Sequence, residues 1–390
     1  AFEAGGHKFS AGAFIIANAD RAKVEPSLKE LGLSGYAVAA APTVKAHDLD
    51  VPRILYLHSW NRTQDEGWVR AALDTYGVPY TYVGDKDVKG EPNLRAKYDV
   101  IIYPHVGGNA QSMVAGIPMT GGPLPYKKSD KYPNLGTPAA SDDIRGGMGI
   151  EGLMNIYKFV QEGGTLITEG ATATLFPEYN LTPGVTVETP NGLFARGTLL
   201  RGIISDTKSP IVYGIDATQL PVYFSQAPVL NAGAGAGGGD FAGGGGRGSS
   251  LSQNITPNAT PLKLSPFDAT TSDAPAAGNA AGGRGAGGAG GRGAGGGGFG
   301  GRGVAAGERP RVIMQFPGNT NDMLLSGTLA NAEGLVNRAQ IVDSPIGKGH
   351  VVMFAIRPFW RWQTQGTYAL GFNAIMNWNH LDAGGRTPTP

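Results

Sequence analysis

The chain has no cysteine in its 390 residues. That excludes thiol nucleophiles, disulfides and cysteine-ligated zinc, and it leaves the redox compartment open. Charge is scarce as well. Asp, Glu, Lys and Arg make up 16% of the residues and sum to a net +1, too even a balance to suggest nucleic acid or an anionic membrane surface as partner. No apolar run is long enough to span a bilayer. The six histidines (His7, His47, His58, His105, His350, His380) are scattered, with no H-E-x-x-H and no H-x-x-E pair. No three ligands for a catalytic zinc assemble locally, so neither a metal nor another cofactor is expected. A G-x-S-x-G nucleophile elbow is absent too. The first residues, Ala1-Phe2-Glu3-Ala4-Gly5, carry no initiator Met, basic n-region or apolar h-region, and they read as the start of a fragment or processed product.

Glycine and proline are plentiful, at 63 and 27 residues, and much of the glycine lies in one region. Outside that region the pattern is ordered. Arg53 to Leu57 is a short apolar run suited to a buried strand, and His58-Ser59-Trp60 stands at its end. Thr63-Gln64-Asp65-Glu66 reads as a capping box. Trp68, Val69, Ala72, Leu73 and Tyr76 follow at helical spacing, and Gly77-Val78-Pro79 closes the helix before a second strand, Tyr80 to Val83. Strand, helix and strand with short joints predict a parallel βαβ unit, whose ligand crevice lies at the carboxyl ends of the strands.

Further strands are expected at Phe9 to Ile16, Tyr36 to Ala41, Tyr98 to Pro104, Thr165 to Thr168, Val185 to Glu188, Ile211 to Gly214 and Arg311 to Phe316. Ala339 to Asp343 and His350 to Ile356 form a hairpin through Ile346-Gly347-Lys348-Gly349. Helices are expected at Arg21 to Leu31, Ile150 to Gln161 and Thr367 to Trp378. The second of these has an apolar stripe of Ile150, Leu153, Met154, Tyr157 and Val160. Asn109 to Gly147 is broken by five prolines and reads as a long functional or interaction loop. The organisation that follows is an N-terminal β/α lead-in (1–47), an α/β core in two parts (48–230 and 308–382), an insert (231–307) and a tail (383–390).

The insert is Gly/Arg/Pro-rich, and its composition predicts disorder. Arg284, Arg292 and Arg302 with Phe299 resemble an RGG-type segment, but the balanced charge and few aromatics argue against nucleic acid. Extended, polyproline-like packing would need neighbouring copies to supply partners. Asn61, Asn180, Asn254 and Asn258 open N-x-S/T sequons.

No complete catalytic set is legible. The candidate crevice residues are His58, Ser59, Trp60, His105 and Glu169, all just past predicted strands. His58 and Ser59 are adjacent in an extended segment, so they point to opposite faces and are not preset as a dyad. The two histidines suit either a catalytic or a satisfied structural role. Gly170 after Glu169 suggests a tight turn with a solvated carboxylate. Arg357, Arg361 and Trp362, with Phe359 and Trp360, suit gripping a carboxylate or stacking on a sugar, and equally a lid over the core.

LYLHSWNRTQDEGWVRAALDTYGVPYTYV, YDVIIYP, NIYKFVQEGGTLITEG and GKGHVVMFAIRPFWRWQTQGT resemble the region that follows the peptidase domain in secreted bacterial zinc carboxypeptidases of the M14 family. Asp65 to Arg70 is the most specific part. The resemblance implies a flavodoxin-like, class I glutamine amidotransferase-like doubly wound α/β sheet, interrupted here by the insert. It also implies an extracytoplasmic (periplasmic or secreted) setting. Neither the family's zinc motif nor the amidotransferase cysteine has a counterpart in this sequence. The expectation is therefore a non-catalytic binding or self-association module, whose partners are copies of itself or a peptidase domain. The alternatives are a substrate-holding accessory domain of a zinc carboxypeptidase, with Arg357, Arg361 and Trp362 as gripping residues, and a structural subunit of an extracellular assembly.

Overall fold

Three short runs, Ile54–His58 (β1), Val100–Tyr103 (β3) and Thr165–Glu169 (β4), are buried at every position, as strands covered on both faces must be. Thr81–Gly84 (β2) borders them as the half-exposed edge. The computed structural model that shows this describes residues 1–232 and 309–385. The expectations for the Gly-rich insert and for residues 386–390 of the tail lie outside the described residues.

The remaining strands used below are Thr198–Ile204 (β5), Gln219–Phe224 (β6), Arg311–Gln315 (β7), Ala339–Ile346 (β8) and Gly349–Phe354 (β9). β1 pairs in parallel with β2 and β3, β3 with β4, and β4 with β9. The spatial order β2-β1-β3-β4-β9 is the 2-1-3-4-5 order of a flavodoxin-like doubly wound sheet. From β9 the sheet continues antiparallel through β8, β7, β5 and β6, and it totals 12 strands. Strands from both sides of the insert therefore share one sheet.

Helices cover both faces of the parallel half. Val69, Ala72 and Leu73 of Glu66–Thr75 (α1) pack with Ile54, Tyr56 and Ile102 on one face. On the other, Leu153, Ile156, Phe159 and Val160 of Gly149–Gln161 (α3) meet Leu55, Leu57, Ile101 and Leu166. The alternation of β1 between two cores follows from the two-residue period of a strand. Between β3 and α3 lies Ala110–Ala115 (α2), and Tyr368–Met376 (α4) closes the first face. No helix among the described residues is long and apolar enough to cross a membrane.

Several expectations are corrected. The apolar residues at Phe9 to Ile16 and Tyr36 to Ala41 do not form the predicted strands. Only His7–Phe9 pairs, with Phe2–Ala4, and Phe14, Ile15, Ile16 and Tyr36 stay exposed because no further strand or second layer covers them. The predicted strand at Ile211 to Gly214 is instead a 3-10 turn, Pro210–Val212, capped by Ser209. The stripe of α3 is rotated, leaving Ile150 and Met154 57% and 44% exposed. Gly152 faces inward instead, so close to Val88 that a Cβ would stand 2.9 Å from its methyl. The Thr63–Glu66 capping box does not form. Asp65 is the N-cap, without a side-chain cap bond, and Glu66 Oε1 accepts from the Tyr82 hydroxyl at 2.5 Å. A capping box forms instead at α2, among others, where Asn109 and Ser112 exchange bonds of 2.9 and 3.0 Å inside the supposed loop.

Candidate functional site

The parallel strands end along one edge, and each end delivers a polar residue there. His58 closes β1, Asp85 follows β2, His105 follows β3, Glu169 closes β4 and Arg357 lies just past β9. Asp65 enters from the N-terminus of α1. Four of these form one buried network. Arg357 Nη1 lies 2.5 Å from Asp65 Oδ2, and Arg357 Nη2 lies 3.1 Å from His105 Nε2. The amide of Ala171 donates to His105 Nδ1 at 2.8 Å. Nδ1 is thus an acceptor, so the proton of the neutral ring sits on Nε2. That Nε2–H faces the Arg357 guanidinium, which offers only donors, and the nearest Asp65 carboxylate oxygen is 3.8 Å away, beyond hydrogen-bonding distance. Gly170 makes the arrangement possible. Its φ is +56°, and a Cβ there would stand 2.5 Å from His105 Nδ1.

Burial sets the electrostatics. It pushes Glu169 up to about 8, with the Asp65 charge adding to the effect, so this carboxyl is protonated at neutral pH. Burial and then the Arg357 charge push His105 down to about 3. Asp65 is raised by burial, with Arg357 opposing. The expected solvated carboxylate at Glu169 is therefore corrected. It is 5% exposed, and Oε1 accepts from the His105 amide at 3.4 Å. The glycine turn after it folds back beneath His105 and does not open to water.

His58 belongs to a separate group. Its ring stacks on Tyr82 at 4.1 Å with planes 3° apart and meets Trp60 edge-on at 4.6 Å. Burial lowers it to about 4. Nδ1 faces the carbonyl of Ser59 at 3.4 Å, while the Ser59 hydroxyl accepts from the Asn61 amide. His58 and Ser59 therefore form no dyad, and His58 and His105 join different clusters. The gripping residues also separate. Arg357 is part of the floor, its guanidinium spent on Asp65 and lying over Trp360 and Tyr223. Arg361 is exposed above Trp68 and Trp360, 5.7 Å from each ring. Trp362 is 39% exposed and stacks on Tyr368 at 5.6 Å. Arg361 and Trp362 both have positive φ, 47° and 57°, an uncommon conformation for non-glycine residues.

Sequence reasoning misses Asp65, Tyr82 and Asp85. Asp65 reads there as part of a helix cap. Asp85 is legible by the same strand-end rule that finds His58, since it directly follows β2.

No protein-family model matches the chain, and no curated protein matches it. Among solved structures, it is similar to a protein of Thermoplasma acidophilum described as a GMP synthase subunit. The TM-score is 0.39 at 8% identity, covering 85% of this chain and 94% of that one. A ThuA-like protein of Bacteroides uniformis gives 0.38 at 9% identity, with 89% and 99% covered. The β-galactosidase of Bacillus circulans sp. alkalophilus gives 0.37 at 10% identity, and there the match spans 30% of the longer enzyme. At these scores the likenesses bear on neither activity nor substrate, and the fold assignment stands on the strand order.

Proposed function

We propose that this chain is a non-catalytic, extracytoplasmic binding or self-association module, similar to the region that follows the peptidase domain of secreted M14 zinc carboxypeptidases. The observation that carries the reading is the state of the crevice floor. Its one close ion pair joins Arg357 to Asp65, and the neutral His105 ring accepts from the Ala171 amide. Neither His58 nor His105 is hydrogen-bonded to a hydroxyl it could activate. Among the described residues, no three His, Asp or Glu side chains group as metal ligands. Above this closed floor stands an exposed rim of Arg361 and Trp362 beside Trp68 and Trp360, a surface suited to holding a partner rather than transforming one. The exposed apolar residues Phe14, Ile15, Leu31 and Leu33 add area for self-association.

Two measurements test this. The purified chain, given peptide and amide substrates, is expected to show no turnover above buffer; a rate of about 1 s⁻¹ or more, ordinary for an enzyme, overturns the reading. Tryptophan fluorescence with peptide and oligosaccharide panels, alongside sedimentation at rising concentration, is expected to reveal either binding weakened in Arg361→Ala/Trp362→Ala or reversible self-association. A chain that does neither is not such a module.

A further inference from the structure

The crevice lies at the carboxyl ends of the parallel strands, and the opposite end of the same sheet holds a cavity. β1 and β2 begin to pair only at Leu55 and Thr81. Just ahead of them stand Pro52 and Pro79, which have no N–H to extend the ladder. The entering segments, 49–52 and 76–79, are therefore free to part, and α4 floors the gap between them with Phe372, Ile375 and Met376. The space measures about 460 Å³. Gly77 borders it, and a Cβ there would meet nothing within 4 Å.

The walls are hydrocarbon. Ile54 and Ile375 are buried, whereas Val51 and Tyr76 are exposed, so a ligand can enter from solvent. The Tyr76 ring meets Phe372 edge-on at 5.1 Å, and the flexible thioether of Met376 adapts to the shape of what lies on it. The volume falls within the roughly 300–1,000 Å³ of small-molecule pockets. It is about three times that of an apolar cavity of ~150 Å³ that takes benzene, so an octyl chain fits with room to spare.

Charge selects the head group. The lining residues include no Lys, Arg or His, and their one carboxylate is Asp50. Asn379 Nδ2 donates to its Oδ2 at 3.2 Å, which holds it in place. An anionic head would find no counter-charge there and would meet a like one. An ammonium gains from Asp50, and a hydroxyl can donate to it.

We infer that this cavity takes the hydrocarbon part of a small amine or alcohol, at a site separate from the rim of Arg361 and Trp362 and independent of what binds there. The full chain is titrated by calorimetry with straight-chain amines, alcohols and carboxylates from butyl to octyl. Saturable binding that tightens about fourfold per added methylene is expected for the amines and alcohols. The carboxylates are expected to bind about two- to fivefold more weakly than the amines, a gap that Asp50→Asn closes. Val78→Phe fills the cavity, and Tyr76→Ala removes a wall at an exposed position; each is expected to weaken octylamine about tenfold. If Val78→Phe fails to fold by circular dichroism, Tyr76→Ala alone decides. Binding unchanged in the variants, or carboxylates held as tightly as amines, overturns the inference. So does the absence of saturable binding; if the chain then dimerises in sedimentation and Tyr76→Ala abolishes the dimer, the cavity is an interface between copies.

Discussion

Replacing Arg357 by Ala is the sharpest probe of the crevice floor, because it separates a structural guanidinium from a ligand-gripping one. The Arg357 and Asp65 side chains are 13% and 7% exposed and meet at 2.5 Å. At an effective dielectric of about 20, the gross attraction at such a separation is roughly 7 kcal/mol, most of it offset by the cost of desolvating both ions. Removing one partner strands the other, and the expected loss is about 3–5 kcal/mol. Contacts over Trp360 and Tyr223, 5.1 and 5.6 Å from the guanidinium carbon, add roughly 0.5–1 kcal/mol. The pH dependence follows from Asp65, already raised by burial. Without Arg357 it rises further, so the variant's deficit is largest at neutral pH and shrinks in acid, where the carboxyl protonates in folded and unfolded chains alike. Urea denaturation of wild type, Arg357→Ala, Asp65→Asn and the double variant measures the coupling directly, and it is expected to exceed about 1 kcal/mol. If Arg357→Ala lies within about 1 kcal/mol of wild type at pH 7, the guanidinium is not spent on Asp65, and Arg357 returns as a candidate for gripping ligand.

Two further outcomes follow from buried titrations. Glu169 is raised from its ordinary 4.5 to about 8, so its contribution is fully present below about pH 4.5 and is lost as pH rises through about 8. Glu169→Gln keeps an acceptor for the His105 amide, and by thermal denaturation at pH 9 it is expected to be more stable than wild type by about 1 kcal/mol or more, a gain that vanishes near pH 4; a less stable variant at pH 9 contradicts the assignment. At the opposite end of the sheet, burial works against a charge on His350. Even so, Asp343, bonded to Nδ1 at 2.7 Å, together with Asp382 raises His350 to about 10. That ion pair's stability is fully present below about pH 6.5 and is lost as pH rises through about 10. The gap in melting temperature between wild type and His350→Gln should therefore narrow between pH 7 and 10.5, and a constant gap would show that the ring is uncharged throughout.

The sequence alone determined what depends on neighbours a few residues away. The apolar run at Ile54–His58, the helical spacing through Leu73 and the glycine stop at Gly77 specify a strand-helix-strand unit locally. A parallel sheet then follows from connection geometry, and with it the edge where His58, His105, Glu169 and Arg357 lie. Only the tertiary structure decided what those residues do there. Asp65 and Arg357 lie on opposite sides of the insert in the chain, and no local pattern joins them. Glu66 serves Tyr82 of the neighbouring strand instead of its own helix start. Ser10 to Ile16 has the composition of a strand, but the pairing stops at Phe9 and no neighbouring strand extends it. The physical reason is common to all three. Backbone preference is written in adjacent side chains, whereas the partner of a charge, its exposure to water and hence its protonation depend on which distant segments fold over it.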